Sequence, residues 1–202
     1  MNYICLNGKR IELSESQIEE IRMSFELDEK VKLGSLEKGD DFRLGSYEFF
    51  VYGHTDEGVV VVLKDLLHDS EEFGENNNYD GSQVDDICNK FYLDLKDIVG
   101  EDNIVEYELD LTTDDGLKDY GVVKRKMSLI TAQMYRKEVE LFDKYKIGKW
   151  WWTATPYSTP THNNTDWVKC VSPVGGLNRN DYGSNDGVRP FCILKSNIFV
   201  SK

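Results

Sequence analysis

The residues best suited to chemistry in this chain are a run of oxygen donors, three histidines and four cysteines. Asp110-Leu111-Thr112-Thr113-Asp114-Asp115-Gly116 places oxygens at the first, third and fifth positions of a potential calcium loop. An EF-hand loop also needs glycine at its sixth position and a bidentate glutamate at its twelfth. Those positions hold Asp115 and Gly121, so the stretch reads as an acidic turn and no metal is expected. His54, His68 and His162 are scattered, the first and last in expected turns and His68 beside an acidic loop. A general base needs a partner within hydrogen-bond reach, and spacing supplies none. Cys5, Cys88, Cys170 and Cys192 lack the close pairing of a zinc site. Cys170 and Cys192 fall on neighbouring expected strands, but buried thiols in a reducing compartment are the simpler reading. Phosphate-loop, dinucleotide, nucleophile-elbow and zincin motifs do not occur in the sequence. The expectation is a non-enzyme without a cofactor; an enzyme with an unrecognised site is the last alternative.

The aromatic residues point elsewhere. Trp150, Trp151, Trp152, Tyr157, Trp167 and Tyr182 gather in the final third of the chain. Tryptophan and tyrosine dominate binding at interfaces, each hot spot worth about 2 kcal/mol or more. In a strand Trp151 faces opposite to Trp150 and Trp152, so one face can bury indoles while the other packs under a loop or stays available. The plain alternative is that all of them form the core of a small sheet. The expected contact surface lies on the loops of residues 157–167 and 178–186: Tyr157, His162, Asn163, Trp167, Arg179, Asn180 and Tyr182. Arg189, between Val188 and Pro190, is expected to pair with an internal carboxylate or with carbonyl groups.

Several elements must position these residues. Residues 1–13 alternate as a hairpin with Asn7-Gly8 as its turn. Ser14-Glu15-Ser16-Gln17 fits a capping box, with Leu13 and Ile18 as a staple and Ile18, Ile21 and Phe25 on one helical face. Residues 26–41 are charged and glycine-punctuated, a linker in composition. Residues 42–44, 47–52 and 59–63 read as a three-stranded meander, its last strand apolar on both faces and so central. Residues 65–80 read as an acidic loop. Ser82 caps a second helix, on which Val84, Ile87, Cys88, Phe91 and Leu95 share a face. Residues 104–109 and 127–130 read as strands, and Thr131 opens a third helix that Gly148 ends. Short strands joined by Gly/Asn/Asp turns follow. The fold class expected is α+β, with small antiparallel sheets, about three helices and a loop-rich C-terminal half. A boundary near residue 39 divides an N-terminal hairpin and helix (1–39) from the main domain (40–202).

Charge limits the partners. The net charge is −13, and residues 151–202 hold five Lys/Arg against three Asp/Glu, leaving −15 on residues 1–150. Direct nucleic-acid binding needs a basic footprint, which is missing there. An acidic surface keeps a protein soluble or attracts a basic partner. No apolar run approaches the roughly 18–20 residues of a membrane span, and the start carries no signal-peptide pattern. A cytoplasmic protein that makes no membrane contact is expected, with a homodimer as one use of the first helix.

Trp151-Trp152-Thr153-Ala154-Thr155-Pro156, the variable stretch 174–186 and Gly187-Val188-Arg189-Pro190-Phe191 resemble the closing segments of a family of uncharacterised domains from bacteria and their phages. Weaker likeness extends to Leu109-Asp110-Leu111-Thr112 and Ser128-Leu129-Ile130-Thr131, so it covers about residues 40–200. The pattern is also similar to the last strands of C-type-lectin-like folds, including formylglycine-generating-enzyme relatives and variable phage receptor-binding proteins. That resemblance implies a C-type-lectin-like mixed domain with a loop-rich display face. The Glu-Pro-Asn and Trp-Asn-Asp calcium-sugar motifs of true C-type lectins are absent, as are paired reactive cysteines. The expected function is non-catalytic recognition of another protein, of phage or mobile-element type. Its narrower form is an acidic inhibitor of a host nucleic-acid-binding defence enzyme, in the manner of an anti-CRISPR protein. A carbohydrate-binding module with indole platforms is the alternative.

Overall fold

The computed structural model describes residues 3–6, 9–25 and 29–202. The chain opens with β1 (Tyr3–Leu6) antiparallel to β2 (Lys9–Glu12), the expected hairpin, whose Asn7-Gly8 turn lies outside the described residues. α1 (Glu15–Phe25) begins as a capping box: Ser14 N–H donates to Gln17 Oε1 at 3.0 Å and Gln17 N–H to Ser14 Oγ at 3.3 Å. The helical face assigned to Phe25 includes side chains outside the described set. The supposed linker contains β3 (Lys30–Lys32), and Leu33 and Leu36 beyond it are buried. Tertiary pairing overrides composition there.

β4 (Asp41–Leu44) and β5 (Tyr47–His54) form the expected hairpin, with Gly45 at φ +60° in the first turn position. β6 (Val59–Leu63) follows, then β7 (His68–Glu72) where a loop was expected. β7 escapes notice because its side chains are mostly exposed and polar, leaving no apolar period to read. Ser82 Oγ accepts the Asp85 N–H at 3.2 Å and starts α2 (Gln83–Val99) as expected. The single strand expected over 104–109 divides into β8 (Ile104–Val105) and β9 (Tyr107–Asp110), because the two halves pair with different partners. β10 (Val122–Arg125) pairs with β9, and β11 (Met127–Leu129) follows. The third helix is two, α3 (Ala132–Lys137) and α4 (Val139–Lys144), broken where Glu138 leaves helical geometry at φ −132°, ψ 38°. The chain ends with β12 (Trp151–Pro156), β13 (Trp167–Val171), β14 (Leu177–Asp181), β15 (Asn185–Val188), β16 (Pro190–Leu194) and β17 (Phe199–Ser201).

These strands make an α+β architecture of mostly antiparallel sheets with four helices among the described residues. A curled half-barrel runs β11-β16-β6-β5-β4-β17-β3, with β8 also on β16; a five-stranded sheet runs β14-β13-β12-β15-β7. β6 is central, as its apolar run implies. Val59, Val61 and Leu63 pack in one core cluster with Phe91 and Leu95 of α2, while Val60 and Val62 join a second with Phe142 of α4. Trp151 and Trp152 divide the same way, Trp151 into the second cluster and Trp152 into the first, and both are buried. Cys170 on β13 and Cys192 on β16 belong to different sheets, which corrects the expectation of neighbouring strands. Both thiols are free and buried, and burial pushes their pKa values up. Among the described residues no helix is long and apolar enough to cross a membrane.

Arg189 sits where the chain leaves the five-stranded sheet at β15 and enters the half-barrel at β16, and it is 1% exposed. Its Nε donates to the Leu63 carbonyl at 2.9 Å, and one terminal nitrogen donates to the carbonyls of Lys64 at 2.6 Å and Tyr145 at 3.0 Å. The guanidinium carbon lies 5.2 Å from the Phe50 ring centre, 5.4 Å from Trp151 and 5.6 Å from Phe142. Of the two expected internal partners, the carbonyl groups are the ones used. Burial pulls the guanidinium down to about 10, still protonated at neutral pH. Replacing Arg189 with Met keeps much of the apolar volume but strips three buried carbonyls of their donor. Urea denaturation should therefore record a loss of at least about 2 kcal/mol, whereas an unchanged midpoint would make the cage mere packing.

Candidate functional site

The end of β12, the start of β13 and the end of β14 meet at one end of the five-stranded sheet. Antiparallel register sets Trp167 opposite Asp181 and Lys169 opposite Arg179. Residues alternate across a strand, so Trp167, Lys169 and Val171 share one face with Leu177, Arg179 and Asp181. At Val171 and Leu177 that face packs with α3 and α4 through Tyr135 and Phe142. At the other end it emerges from cover. There the Arg179 guanidinium lies 4.2 Å from the Tyr157 ring centre and 5.3 Å from that of Trp167. Trp167 is 36% exposed, and Arg179 makes no ion pair among the described residues.

Three of the seven expected contact residues thus form one corner. Arg179 and Asn180 stand on β14 rather than in a loop, because Leu177-Asn178-Arg179-Asn180-Asp181 has no apolar period to announce a strand. Asn180 turns to the opposite face, donating from Nδ2 to Asp186 Oδ2 at 2.8 Å. Asp186 is 3% exposed, and burial raises its pKa. Tyr182 is half-buried against the main core, and its N–H donates to the Asp166 carbonyl at 2.8 Å. His162 and Asn163 lie on the exposed connection from β12 to β13, His162 in a short 3-10 turn and Asn163 left-handed at φ 57°.

That connection is held from beneath. Asp115 Oδ2 accepts Ser158 Oγ–H at 2.6 Å and His162 Nδ1–H at 2.9 Å. Asp119 Oδ2 accepts the hydroxyls of Thr159 and Thr161, both at 2.5 Å. Fully buried Asn77 donates to the carbonyls of Ser158 at 2.9 Å and Trp167 at 3.1 Å, and receives Tyr120 Oη–H at 2.7 Å. Asp114 pairs with Arg136 of α3 and, at 3.2 Å, with Lys169. The segment of residues 110–121, which includes the acidic turn, is therefore a clamp on the loop, a role that sequence spacing could not reveal across forty or more residues.

Ser158, Asp115 and His162 contain the residue types of a hydrolase triad without its order. Nucleophilic activation needs the imidazole between hydroxyl and carboxylate. Here Asp115 takes both donors, and Ser158 is 2% exposed, so the arrangement anchors the loop. Of the other histidines, His54 ends β5 rather than occupying a turn, with Nε2 3.0 Å from the Leu36 carbonyl; His68 lies on β7 with Nδ1 2.7 Å from Glu71 Oε1.

An open cavity of about 680 Å³ lies between β7 and the start of α2, lined by Glu71, Glu72, Glu75, Asp80, Asp86 and Lys90 among others. None of the expected contact residues reaches it. Beside it, Arg125 forks onto Asp85 at 2.9 and 2.6 Å and reaches Asp80 at 2.5 Å. Of the four tryptophans, Trp150 is half-buried and Trp151 and Trp152 are enclosed, so the accessible indole surface is chiefly that of Trp167.

No protein-family model, curated protein or solved structure matches this chain.

Desolvation, the largest single influence on Asp115, pushes its carboxyl up, but the hydrogen bonds from Ser158, Thr113 and His162 together bring it to about 2, below its ordinary 3.8. A carboxyl depressed in the folded state adds stability that is present above its unfolded pKa and lost as pH falls through its folded one. Asp115→Asn should therefore lower the thermal midpoint at neutral pH, with the gap from the parent closing between about pH 4 and pH 2. A gap that stays constant across that range would remove Asp115 from the role of clamp.

Proposed function

We propose that this chain is a non-catalytic recognition domain that binds another protein through the corner of Tyr157, Trp167 and Arg179. The observation that carries this reading is the exposed stack itself: a guanidinium held over two aromatic rings at 4.2 and 5.3 Å, on a sheet face that α3 and α4 leave open. Trp, Tyr and Arg are the residues enriched at the energetic centres of interfaces. Their geometry is set before binding by the clamps of Asp115, Asp119 and Asn77, which reduces the ordering cost that association must overcome. The likeness to C-type-lectin-like display domains, and to the bacterial and phage family, belongs to this proposal. Its support is the closing sequence pattern and the long connection of residues 157–166 fastened over the end of the sheet.

A second reading keeps the acidic surface as the active one, with the chain occupying the phosphate-binding groove of a basic, nucleic-acid-binding enzyme. The carboxylates around the β7–α2 cavity favour it. Affinity capture from host extract at low and high salt separates the two. On the first reading a captured protein survives added salt and is lost from Trp167→Ala, which weakens binding by about 2 kcal/mol or more. Capture that vanishes with salt and ignores Trp167→Ala supports the acidic groove and rejects the corner.

A further inference from the structure

The corner adjoins an open sheet edge. β14 is the outermost strand of the five-stranded sheet, paired among the described residues only with β13. Main-chain direction along it follows from the flanking bonds. Ser172 N–H donates to the Gly176 carbonyl at 2.9 Å, and Tyr182 N–H to the Asp166 carbonyl at 2.8 Å, both in the register that sets Val168 opposite Asn180. Hydrogen-bonded and non-hydrogen-bonded pairs alternate in an antiparallel ladder. The even-numbered residues of β14 therefore bond to β13, and Leu177, Arg179 and Asp181 turn their main-chain groups outward. The Arg179 N–H is covered by the neighbouring Asn178 Oδ1 at 2.9 Å, and the Asp181 carbonyl is taken by Ser184 N–H at 2.8 Å. The carbonyls of Leu177 and Arg179 and the N–H groups of Leu177 and Asp181 remain directed at the edge.

We propose that this edge and the adjoining corner bind an extended, carboxylate-bearing segment of a partner protein, which adds as a further strand beside β14. The inference rests on reading the corner as a contact surface, and it names the class of partner. Strand addition supplies main-chain hydrogen bonds, while pockets or charges at alternate positions supply the choice of side chain. Arg179 provides that choice. Arg125 and Arg136 each hold a carboxylate of this chain, but Arg179 has none among the described residues, although the chain carries 37 acidic residues against 24 basic ones. Its guanidinium is fixed by Tyr157 and Trp167 with its planar fork unfilled, the arrangement suited to bidentate capture of a carboxylate. The cap made by Asn178 keeps the Arg179 N–H paired while no strand is present, and rotates away at small cost because the side chain is exposed.

The test is selection of a displayed library of random dodecapeptides on the full chain, followed by fluorescence anisotropy with an enriched peptide made synthetically. Enriched sequences should carry Asp or Glu among β-forming residues. Arg179→Gln should bind the peptide at least about thirtyfold more weakly, the smaller end of a hot-spot effect. Amide exchange at Leu177 and Asp181 should slow when the peptide is bound. Enrichment of basic or uncharged sequences, no enrichment, or an acidic peptide indifferent to Arg179→Gln overturns the inference. Should one of these occur while Trp167→Ala still releases the captured host protein, the corner remains the contact surface and only the assigned partner class falls.

Discussion

The structure depends on one buried cation. Arg189 occupies the single residue between β15 and β16, so its position decides how the two sheets are set against each other. A guanidinium is costly to desolvate, and here no carboxylate bonds to it. Three carbonyls and three ring faces replace water instead. Those carbonyls belong to the end of β6 and the residue after it, and to the residue that closes α4. One side chain therefore fixes strand, helix and crossover together, and Trp151 is pinned in the same contact. With Trp151 placed, Trp152 must face the other way, where its Nε1–H reaches the Glu71 carbonyl at 2.8 Å and anchors β7 to the sheet.

What the sequence reveals of this fold follows a physical divide. Local signals survive folding intact: the capping residues Ser14 and Ser82, the Gly45 turn and the period of α2 are all where their chemistry puts them. β6 announces its central place because a strand covered on both faces must be apolar throughout. β3, β7, β10 and β14 announce nothing. Each lies at an edge or in a two-stranded ribbon with few buried side chains, and each exists because a partner strand completes its ladder. Composition labels such segments linker or loop, and only strand pairing corrects it.

The candidate site divides likewise. Residue type was enough to single out Tyr157, Trp167 and Arg179, since Trp, Tyr and Arg are the residues enriched at the energetic centres of interfaces. Their union needed the register of β13 against β14, which no local pattern contains. Asp115 was visible only as part of a failed calcium loop. Its partners lie 43 and 47 residues away, so its actual work as a clamp is a property of the folded chain. Asn180 shows the opposite error: a polar residue near a turn suggests a contact surface, yet strand alternation sends it to Asp186 on the far face.

On the proposed reading, charge gives the corner its selectivity. Residues 1–150 carry the acidic excess, while the last quarter is slightly basic, and Arg179 belongs to that quarter. In that proposal the net repulsion disfavours acidic molecules elsewhere, and the stacked Arg179 guanidinium, which makes no ion pair among the described residues, admits one acidic group at one point. An acidic body of this kind disfavours non-specific association with anionic polymers, because releasing counterions from many phosphates needs many cations together. A single fixed fork beside an open strand edge rewards a different object, one carboxylate on an extended backbone. On the proposed reading, the same −13 that argues against nucleic acid sharpens the discrimination of the corner, which the β13–β14 pairing and the clamps of Asp115, Asp119 and Asn77 hold in place.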